Sequence, residues 1–221
     1  MPVYNGVAWI GEALQSLLMQ TIIKDSEIII VNDGSTDGTK EFLDDWATQF
    51  PEVKVIHNET NMKAGRSRNI GMEAATAEII GVCDADDINL AERGELILNH
   101  FKENPFSELV NFPYQTVGYF NEKVEDNPGS PFDYDAYKNG GNVYFSNPTV
   151  GYKKKSAMEI GGYEPENEKE TDDLQFLRKW IAAGKKVDFV PGEMVILHRI
   201  LPDSIMTRHR GFDPKWVEAK R

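Results

Sequence analysis

The run Glu78-Ile79-Ile80-Gly81-Val82-Cys83-Asp84-Ala85-Asp86-Asp87 changes from apolar to acidic between Cys83 and Asp84. Unbroken apolar residues are typical of a strand that is covered on both faces in a parallel sheet. We therefore predict a central strand over residues 78–83. The carboxylates that follow would lie at its carboxyl end, and open α/β sheets bind their ligands beyond those ends.

Apolar runs on either side of this segment alternate with stretches at helical spacing. In the first half, strands are predicted over residues 27–32 and 53–57, and helices over residues 9–19, 42–50, 64–75 and 90–101. Alternation of this kind builds βαβ units and a parallel sheet. In the second half, strands are predicted over residues 108–112, 115–124, 186–190 and 194–198, and a helix over residues 172–183. We expect an α/β fold with a mainly parallel central sheet flanked by helices.

The amino-terminal segment Pro2-Val3-Tyr4-Asn5-Gly6 has almost no apolar run before its turn residues. A sheet of this kind normally has another strand at this place. Either a very short strand suffices here, or part of the first strand is absent from the sequence. The residues themselves do not decide between the two.

The composition is that of an ordinary globular domain, with 221 residues, 40% apolar, 27% charged and a formal charge of −12. A chain of this length can form one domain with its own core. The negative charge opposes binding to DNA, RNA or anionic lipid. Cys83 is the only cysteine, and the sequence contains neither an apolar run of about 18 residues nor a recognisable secretory signal. We therefore expect a cytoplasmic protein.

The last stretch of the chain departs from this acidic balance. It carries Arg199, Arg208, Arg210, Lys215, Lys220 and Arg221 among few acids. Such a stretch suits a local anion site, and peripheral contact with the inner face of a membrane is an open alternative.

The acidic cluster after residue 83 is the sharpest candidate for chemistry. Clustered carboxylates at a strand end suit Mg²⁺ or Mn²⁺, which bind through one or two carboxylates and leave positions open for phosphate oxygens. The alternative is a helix cap, since Asp87 or Asn89 could cap a helix that begins near Leu90.

A second polar cluster follows the strand predicted to end at residue 32. It reads Asn32-Asp33-Gly34-Ser35-Thr36-Asp37-Gly38-Thr39. We interpret Ser35, Thr36 and Asp37 as turn and capping residues, because such side chains bond readily to nearby backbone. Asp33 is the better site candidate, since an acid on a tight glycine loop can accept hydrogen bonds from a base or a ribose.

Two arginines lie at the start of the helix predicted over residues 64–75. A helix N-terminus favours anions, so a diphosphate or a base carbonyl could dock there. Arg66 and Arg68 point about 200° apart on a helix, and one ligand cannot easily meet both. We prefer Arg68, with Arg66 second and a solvated basic face as the alternative.

These strings together resemble the family 2 glycosyltransferases of GT-A fold. The resemblance is carried in order by Pro2-Val3-Tyr4-Asn5, by Val31 to Thr39, by Ala64 to Gly71 and by Asp84-Ala85-Asp86-Asp87, and continues more weakly through Gly161-Gly162-Tyr163 and residues 171–178 to about Ser204. It implies a single glycosyltransferase domain over residues 1–221. Residues 1–105 would form the donor half, and residues 106–221 the acceptor half with a C-terminal extension.

The resemblance also implies a site for a nucleoside-diphosphate sugar, usually a uridine one. The base would lie near Tyr4 and Asp33, Arg68 would hold the nucleotide, and Asp84 would face the ribose or a metal-bound water. Asp86 would be the direct ligand of Mn²⁺ or Mg²⁺. The implied donor-binding residues are Pro2, Tyr4, Asn5, Asp33, Arg66, Arg68, Asp84, Ala85 and Arg199.

By the same resemblance, the catalytic base belongs to an acidic pair before a helix that carries Arg178. Asp172 is the implied base, although Thr171 stands where the family has the first acid of the pair. A shift of one residue would make Asp173 the base. The alternative is that these acids only complement the dipole of the helix.

The string from Ile196 to Ser204 resembles the family's tyrosine-arginine-x-histidine-proline string near the donor diphosphate. Leu201 stands at the histidine position, and His198 replaces the tyrosine. His198 is therefore the candidate third metal ligand beside Asp86 and Asp84, with a structural histidine as the alternative.

The implied reaction is transfer of a sugar, with inversion, to a hydroxyl of a glycan or lipid-linked acceptor, as in polysaccharide biosynthesis. A sugar nucleotidyltransferase is one rival, but no glycine-rich phosphate loop with an arginine occurs near the N-terminus. A non-catalytic module that binds nucleotide sugars is the other rival, favoured by the short first strand, Thr171 and Leu201. Sugar, acceptor and oligomeric state are not specified by the residues.

Overall fold

The structure is a computed structural model that describes residues 1–141, 143–166 and 170–201. Seven helices lie within these residues: α1 (Ile10–Leu18), α2 (Thr39–Gln49), α3 (Ala64–Ala74), α4 (Arg93–Glu103), α5 (Tyr134–Lys138), α6 (Lys154–Glu159) and α7 (Asp172–Ala182). The eleven strands of the same residues are β1 (Pro2–Val3), β2 (Ile28–Asn32), β3 (Val53–His57), β4 (Ile79–Gly81), β5 (Ile88–Asn89), β6 (Leu109–Asn111), β7 (Tyr114–Val117), β8 (Lys123–Asn127), β9 (Gly151–Lys153), β10 (Asp188–Phe189) and β11 (Ile196–Arg199).

The first sheet has the order β1-β2-β3 and is parallel throughout. The five residues of β2 pair with the five of β3, and Asn32 lies opposite His57 at their carboxyl ends. Helices α1 and α2 cover this sheet because their apolar faces, including Ile10, Leu14 and Leu43, are fully buried against it. The alternating strands and helices of the first half are thus confirmed.

The strand predicted over residues 78–83 is not central. Strand β4 lies at the edge of a second sheet with the order β10-β6-β9-β4. β1 pairs only with Val31 and Asn32 of β2, and an apolar cavity of about 340 Å³ is lined by residues of both β2 and β4. One side of β4 therefore has no strand partner among the described residues, which explains why Ile79 and Ile80 are only partly buried.

The second sheet joins residues from both halves of the chain. β4 pairs antiparallel with β9, β9 pairs antiparallel with β6, and β6 pairs parallel with β10. β9, α5 and α6 were not predicted, since each is short and has no extended periodic pattern. The carboxyl end of β4 is fixed by this sheet, and so is the position of the acidic residues that follow it.

The third sheet has the order β5-β11-β7-β8 and corrects two predictions. Residues 115–124 do not form one strand, because a turn separates β7 from β8: Gly118 N–H donates to Glu122 O at 2.9 Å, and Asn121 has a φ of 64°. The helix predicted from Leu90 begins only at Arg93, because Ile88 and Asn89 pair with β11 instead.

The core of the second half is aromatic and lies under α7. Tyr163 stacks on Phe176 with ring centroids 4.2 Å apart, and Trp180 lies 5.5 Å from the same ring. Tyr152 of β9 contacts Phe176 from the sheet side at 5.5 Å. These four rings are at most 2% exposed, so they fix α7 against the second sheet. Throughout the described residues, none of the helices has both the length and the apolar character needed to cross a membrane.

We predict that Phe176→Ala lowers the free energy of unfolding by about 3–5 kcal/mol, because it removes a fully buried ring and leaves a cavity among its neighbours. Leu174→Ala on the same helix is the control, since Leu174 is 49% exposed and its truncation should change stability by no more than about 0.5 kcal/mol. Urea denaturation measures both. Equal effects would contradict the position of α7 described above.

Candidate active site

Asp87 connects the acidic loop that follows β4 to strand β11. The carboxylate of Asp87 is 1% exposed and accepts hydrogen bonds from the Arg199 backbone N–H at 3.0 Å and from His198 Nδ1 at 3.0 Å. The alternative, a cap formed by Asp87 or Asn89, is therefore wrong, and α4 begins four residues beyond Asn89 without a side-chain cap. Asp87 instead fixes the loop to the last described strand.

His198 is a cationic partner of this loop. Burial lowers the pKa of its imidazole, but the Asp87 carboxylate and then Asp86 and Asp84 raise it more strongly, to about 9. Since Nδ1 is bonded to Asp87, only Nε2 remains to contact any other group. The ring of Tyr114 lies 5.6 Å away, nearly perpendicular to the imidazole.

Arg68 of α3 bridges two carboxylates that are distant in sequence. Its Nη2 donates to Asp84 Oδ1 at 2.8 Å, and its Nη1 donates to Asp172 Oδ2. The side chain is only 11% exposed, and its guanidinium lies 5.6 Å from the ring centroid of Tyr163. Arg66 is exposed. The structure thus places Arg68, and not Arg66, at the acidic loop.

Asp172 and Asp173 at the start of α7 have different surroundings. Asp172 is buried beside Arg68. Burial raises its pKa, Arg68 opposes that rise, and the nearby Asp173 and Asp84 charges reinforce it. Asp173 accepts from Thr171 Oγ1 and from the Leu174 backbone N–H, so it closes the first turn of its own helix.

Asp33 is fixed at the carboxyl end of β2. It is 2% exposed, and its Oδ1 accepts from Asn58 Nδ2 and from the Met62 backbone N–H, both at 2.8 Å. Its own N–H donates to the carbonyl of Val3 at 2.8 Å. Asp33 therefore ties β1 and β2 to the loop before α3, and Asn58 is a residue of this cluster that no sequence pattern had indicated.

The residues predicted as caps of α2 mainly hold the loop after β1. Asn5 N–H donates to Ser35 Oγ at 2.9 Å, and Asn5 Oδ1 accepts from the Thr36 N–H at 2.8 Å. Asp37 accepts from the Val7 N–H at 3.1 Å and also from a backbone N–H at the start of α2. Of the expected capping residues, Asp37 has a capping contact. Tyr4, next to Asn5, is 52% exposed.

Arg199 joins three segments at the site. Its Nη2 donates to Glu12 of α1 at 2.5 Å and to Asn121 Oδ1 at 2.8 Å, and its guanidinium lies 4.8 Å from the ring centroid of Trp9. It is 2% exposed, and its Nε and Nη1 have no hydrogen-bond partner within the described residues. The sequence had indicated Arg199 but not Glu12, Trp9 or Asn121, whose spacings carry no motif.

Asp86 makes no ion pair among the described residues, although the charge of the His198 imidazolium lowers its pKa in part. Burial, then Asp87, then Asp84 raise the pKa of its carboxyl to about 7. A divalent cation beside Asp86 would remove this unfavourable crowding, so the residues fit such an ion. Within the described part of the chain, no three His, Cys, Asp or Glu side chains are arranged as a metal cluster. Phosphate oxygens and water would complete the ligands beside the carboxylates of the loop, as is common for Mg²⁺.

The structure brings together most of the residues that the sequence indicated. Asp84, Ala85 and Asp86 form the loop, and Arg68 and Asp172 are joined to it through Asp84. Pro2 pairs with Val31 of β2. Ser204 and the basic residues from Arg208 to Arg221 lie outside the described residues.

A family profile described as Glycosyl transferase family 2 matches residues 1–161, which is most of the chain. The chain belongs to glycosyl transferase family 2.

Curated bacterial glycosyltransferases are similar to this chain in sequence. The chain is 29% identical over 196 residues to an Escherichia coli protein named UDP-Gal:alpha-D-GlcNAc-diphosphoundecaprenol beta-1,3-galactosyltransferase, a match that covers 85% of this chain and 67% of that protein. The chain spans 41% and 25% of the length of two other curated bacterial glycosyltransferases.

Two solved glycosyltransferases share the fold at low sequence identity. S. aureus TarS in complex with UDP-GlcNAc is 21% identical with a TM-score of 0.74, over 93% of this chain and 59% of that one. The mannosyltransferase PcManGT from Pyrobaculum calidifontis, in complex with GDP-Man and Mn²⁺, is 17% identical with a TM-score of 0.70, over 95% of this chain and 58% of that one. The expected GT-A fold is thereby confirmed.

His198 predicts a pH dependence of stability in the metal-free protein. Its folded pKa of about 9 exceeds the 6.5 of a free histidine, so the folded state binds the additional proton. The resulting stabilisation is complete below about pH 6.5 and is lost as the pH rises through about 9, a loss of about 3 kcal/mol.

Urea denaturation in the presence of a chelator, from about pH 6 to about pH 10, measures this loss. His198→Gln is the matched variant, because it retains the shape of a hydrogen-bonding side chain but cannot titrate in this window. Superimposable pH profiles for the two proteins would contradict the assigned protonation state.

Proposed function

We propose that this chain is an inverting, metal-dependent glycosyltransferase that moves a sugar from a nucleoside-diphosphate sugar, a uridine one in the first instance, to a hydroxyl of a glycan or lipid-linked acceptor. The observation that carries the proposal is the contact chain from Asp84 through Arg68 to Asp172. It places a buried carboxylate from the second half of the protein beside the acidic loop of the first half.

Asp172 is the proposed general base. Its carboxylate removes the proton from the acceptor hydroxyl while that oxygen attacks the anomeric carbon of the donor. The bond from the anomeric carbon to the diphosphate oxygen breaks in the same step, and the nucleoside diphosphate leaves with the bonding electrons. General base catalysis of this kind typically contributes about 10²- to 10⁴-fold to a rate.

The donor would lie along the carboxyl ends of β1, β2 and β4. Tyr4 offers an exposed aromatic ring for the base, and Asp33 is buried at the carboxyl end of β2. Arg199 is a proposed diphosphate ligand, since its Nε and Nη1 lack partners within the described residues. Asn5, Pro2, Arg66 and Ala85 complete the proposed donor site.

Asp86 is the proposed direct ligand of Mn²⁺ or Mg²⁺, with Asp84 as the second carboxylate. When bound, the cation would neutralise charge that develops on the departing diphosphate. His198 is the weakest of the proposed ligands, because its Nδ1 is engaged by Asp87 and only Nε2 could face the ion.

The choice of substrates draws on relatives that this chain resembles. The E. coli relative is named for UDP-Gal and a diphosphoundecaprenol acceptor, and TarS was solved with UDP-GlcNAc. PcManGT was solved with GDP-Man and Mn²⁺, so guanosine donors belong in any test panel. The proposed location is the cytoplasm, with peripheral contact to the inner face of the membrane if the acceptor is lipid-linked.

Asp172→Asn should lower the rate of sugar transfer, or of donor hydrolysis when no acceptor is added, by about 10²- to 10⁴-fold. Donor binding should be nearly unchanged, because the amide keeps the size of the side chain. Asp173→Asn should keep most of the activity, since Asp173 bonds within its own helix turn. Normal turnover by Asp172→Asn would refute the assignment, and binding without turnover across many acceptors would favour a non-catalytic module.

A panel of nucleotides read by thermal unfolding tests the donor and the metal together. UDP with Mn²⁺ should raise the Tm, because a ligand at about 100 times its Kd stabilises the folded state by about 2.7 kcal/mol. Asp86→Asn should abolish the contribution of Mn²⁺. Asp126→Asn, an exposed carboxylate paired with Lys123 on β8, should leave it intact. An equal response of both variants to Mn²⁺ would argue against Asp86 as the ligand.

A further inference from the structure

The guanidinium of Arg68 connects the two functional halves of the proposed site. It contacts Asp84, 16 residues away in the chain, and Asp172, 104 residues away. A guanidinium is a rigid planar fork, so the position of one bound carboxylate fixes that of the other. Tyr163 lies against the same guanidinium at 5.6 Å and is 2% exposed, which restricts its movement further.

Arg68 occupies only one oxygen of each carboxylate. It binds Oδ2 of Asp172 and Oδ1 of Asp84. Within the described residues, no hydrogen bond reaches Oδ1 of Asp172, so this oxygen is available to accept a proton from a substrate hydroxyl. The geometry is that of a base whose second oxygen is held by a neighbour, a recurrent way of orienting catalytic groups.

The charges around Asp172 also depend on Arg68. The groups that face Asp172 are Arg68 from α3, Asp84 from the acidic loop, Asp173 from its own helix and the ring of Tyr163. Two of these are acids, and Arg68 is the single cation among them. Without Arg68, burial and the two acids would act together to favour the protonated carboxyl, which cannot serve as a base.

We propose that Arg68 is a positioning residue for the acceptor-activating base: it orients Asp172, keeps it anionic and ties it to the donor loop through Asp84. This inference rests on the proposed function, in which Asp172 is the base. It differs from a role in holding the nucleotide, because it places the main effect of Arg68 on Asp172 and not on donor affinity.

The decisive measurement is the titration of Asp172 itself. The ¹³C shift of its side-chain carboxyl, assigned by its absence in Asp172→Asn, is followed against pH in the wild type, Arg68→Gln and Arg68→Lys. The midpoint should rise by about one pH unit or more in Arg68→Gln and by less in Arg68→Lys, which keeps the charge but not the fork. Lys155→Gln, an exposed cation of α6, should leave the midpoint unchanged.

Calorimetry with UDP and Mn²⁺ separates the two roles of Arg68. Affinity for UDP should be largely retained in both Arg68 variants, and the acidic limb of the rate of UDP-GlcNAc hydrolysis should move to higher pH in Arg68→Gln. In an Asp172→Asn background, Arg68→Gln should cost little further activity, because the group through which it acts is already gone.

An unchanged Asp172 midpoint in Arg68→Gln, or loss of UDP binding with an unshifted midpoint, would overturn the inference. Thermal unfolding checks that the variants are folded. If Arg68→Gln does not fold, the same measurements on Arg68→Lys decide the question. Normal turnover by Asp172→Asn would instead refute the proposed function. The effect of Arg68 on the titration of Asp172 is measured independently of that result.

Discussion

Burial of negative charge is the constraint on which the rest of the site depends. Asp33, Asp84, Asp86, Asp87 and Asp172 are buried or partly buried at one edge of the protein. An isolated buried carboxylate costs several kcal/mol, so each needs a compensating donor or cation. Asp33 is compensated by an amide and a backbone N–H, Asp87 by a backbone N–H and an imidazolium, and Asp84 and Asp172 by one shared guanidinium. Asp86 makes no ion pair within the described residues, and His198 offsets its burial only in part, which is why the cation is proposed there.

The compensating groups come from elements far apart in the chain, so the site and the fold are assembled together. Arg68 joins α3 to α7, and the backbone N–H of Arg199 joins β11 to the loop after β4. Residues of the second half therefore complete a site whose strongest motifs lie in the first half. β4 and β9 pair across residue 105, where the resemblance implied a boundary between a donor half and an acceptor half.

Sequence patterns predicted those helices and strands whose ends are set by neighbouring residues. The bounds of β3 were predicted to the residue and those of α7 to within one residue, because apolar spacing and turn residues mark them. The hairpin of β7 and β8 was not predicted, since the apolar residues of 115–124 run past the turn at Gly118. The contacts of Asp87 were not predicted either. A carboxylate after a strand has the same local sequence pattern whether it caps a helix or binds a distant backbone N–H. Contacts such as those of Glu12 and Asn58 depend on tertiary packing and leave no spacing to read.

Steric contacts in the structure explain why two positions of the family strings, Gly65 and Gly162, are glycine. A Cβ at Gly65 would lie 2.4 Å from the carbonyl oxygen of Glu164 and 3.0 Å from Cβ of Asp172. A Cβ at Gly162 would lie 2.4 Å from Oδ1 of Asn69, and Gly162 has a φ of +64°. Both positions lie where α3 approaches the segment leading to α7, and any larger residue would force them apart. Arg68 contacts Asp172 across this close approach, so the absence of side chains at Gly65 and Gly162 permits the contact that joins α3 to α7.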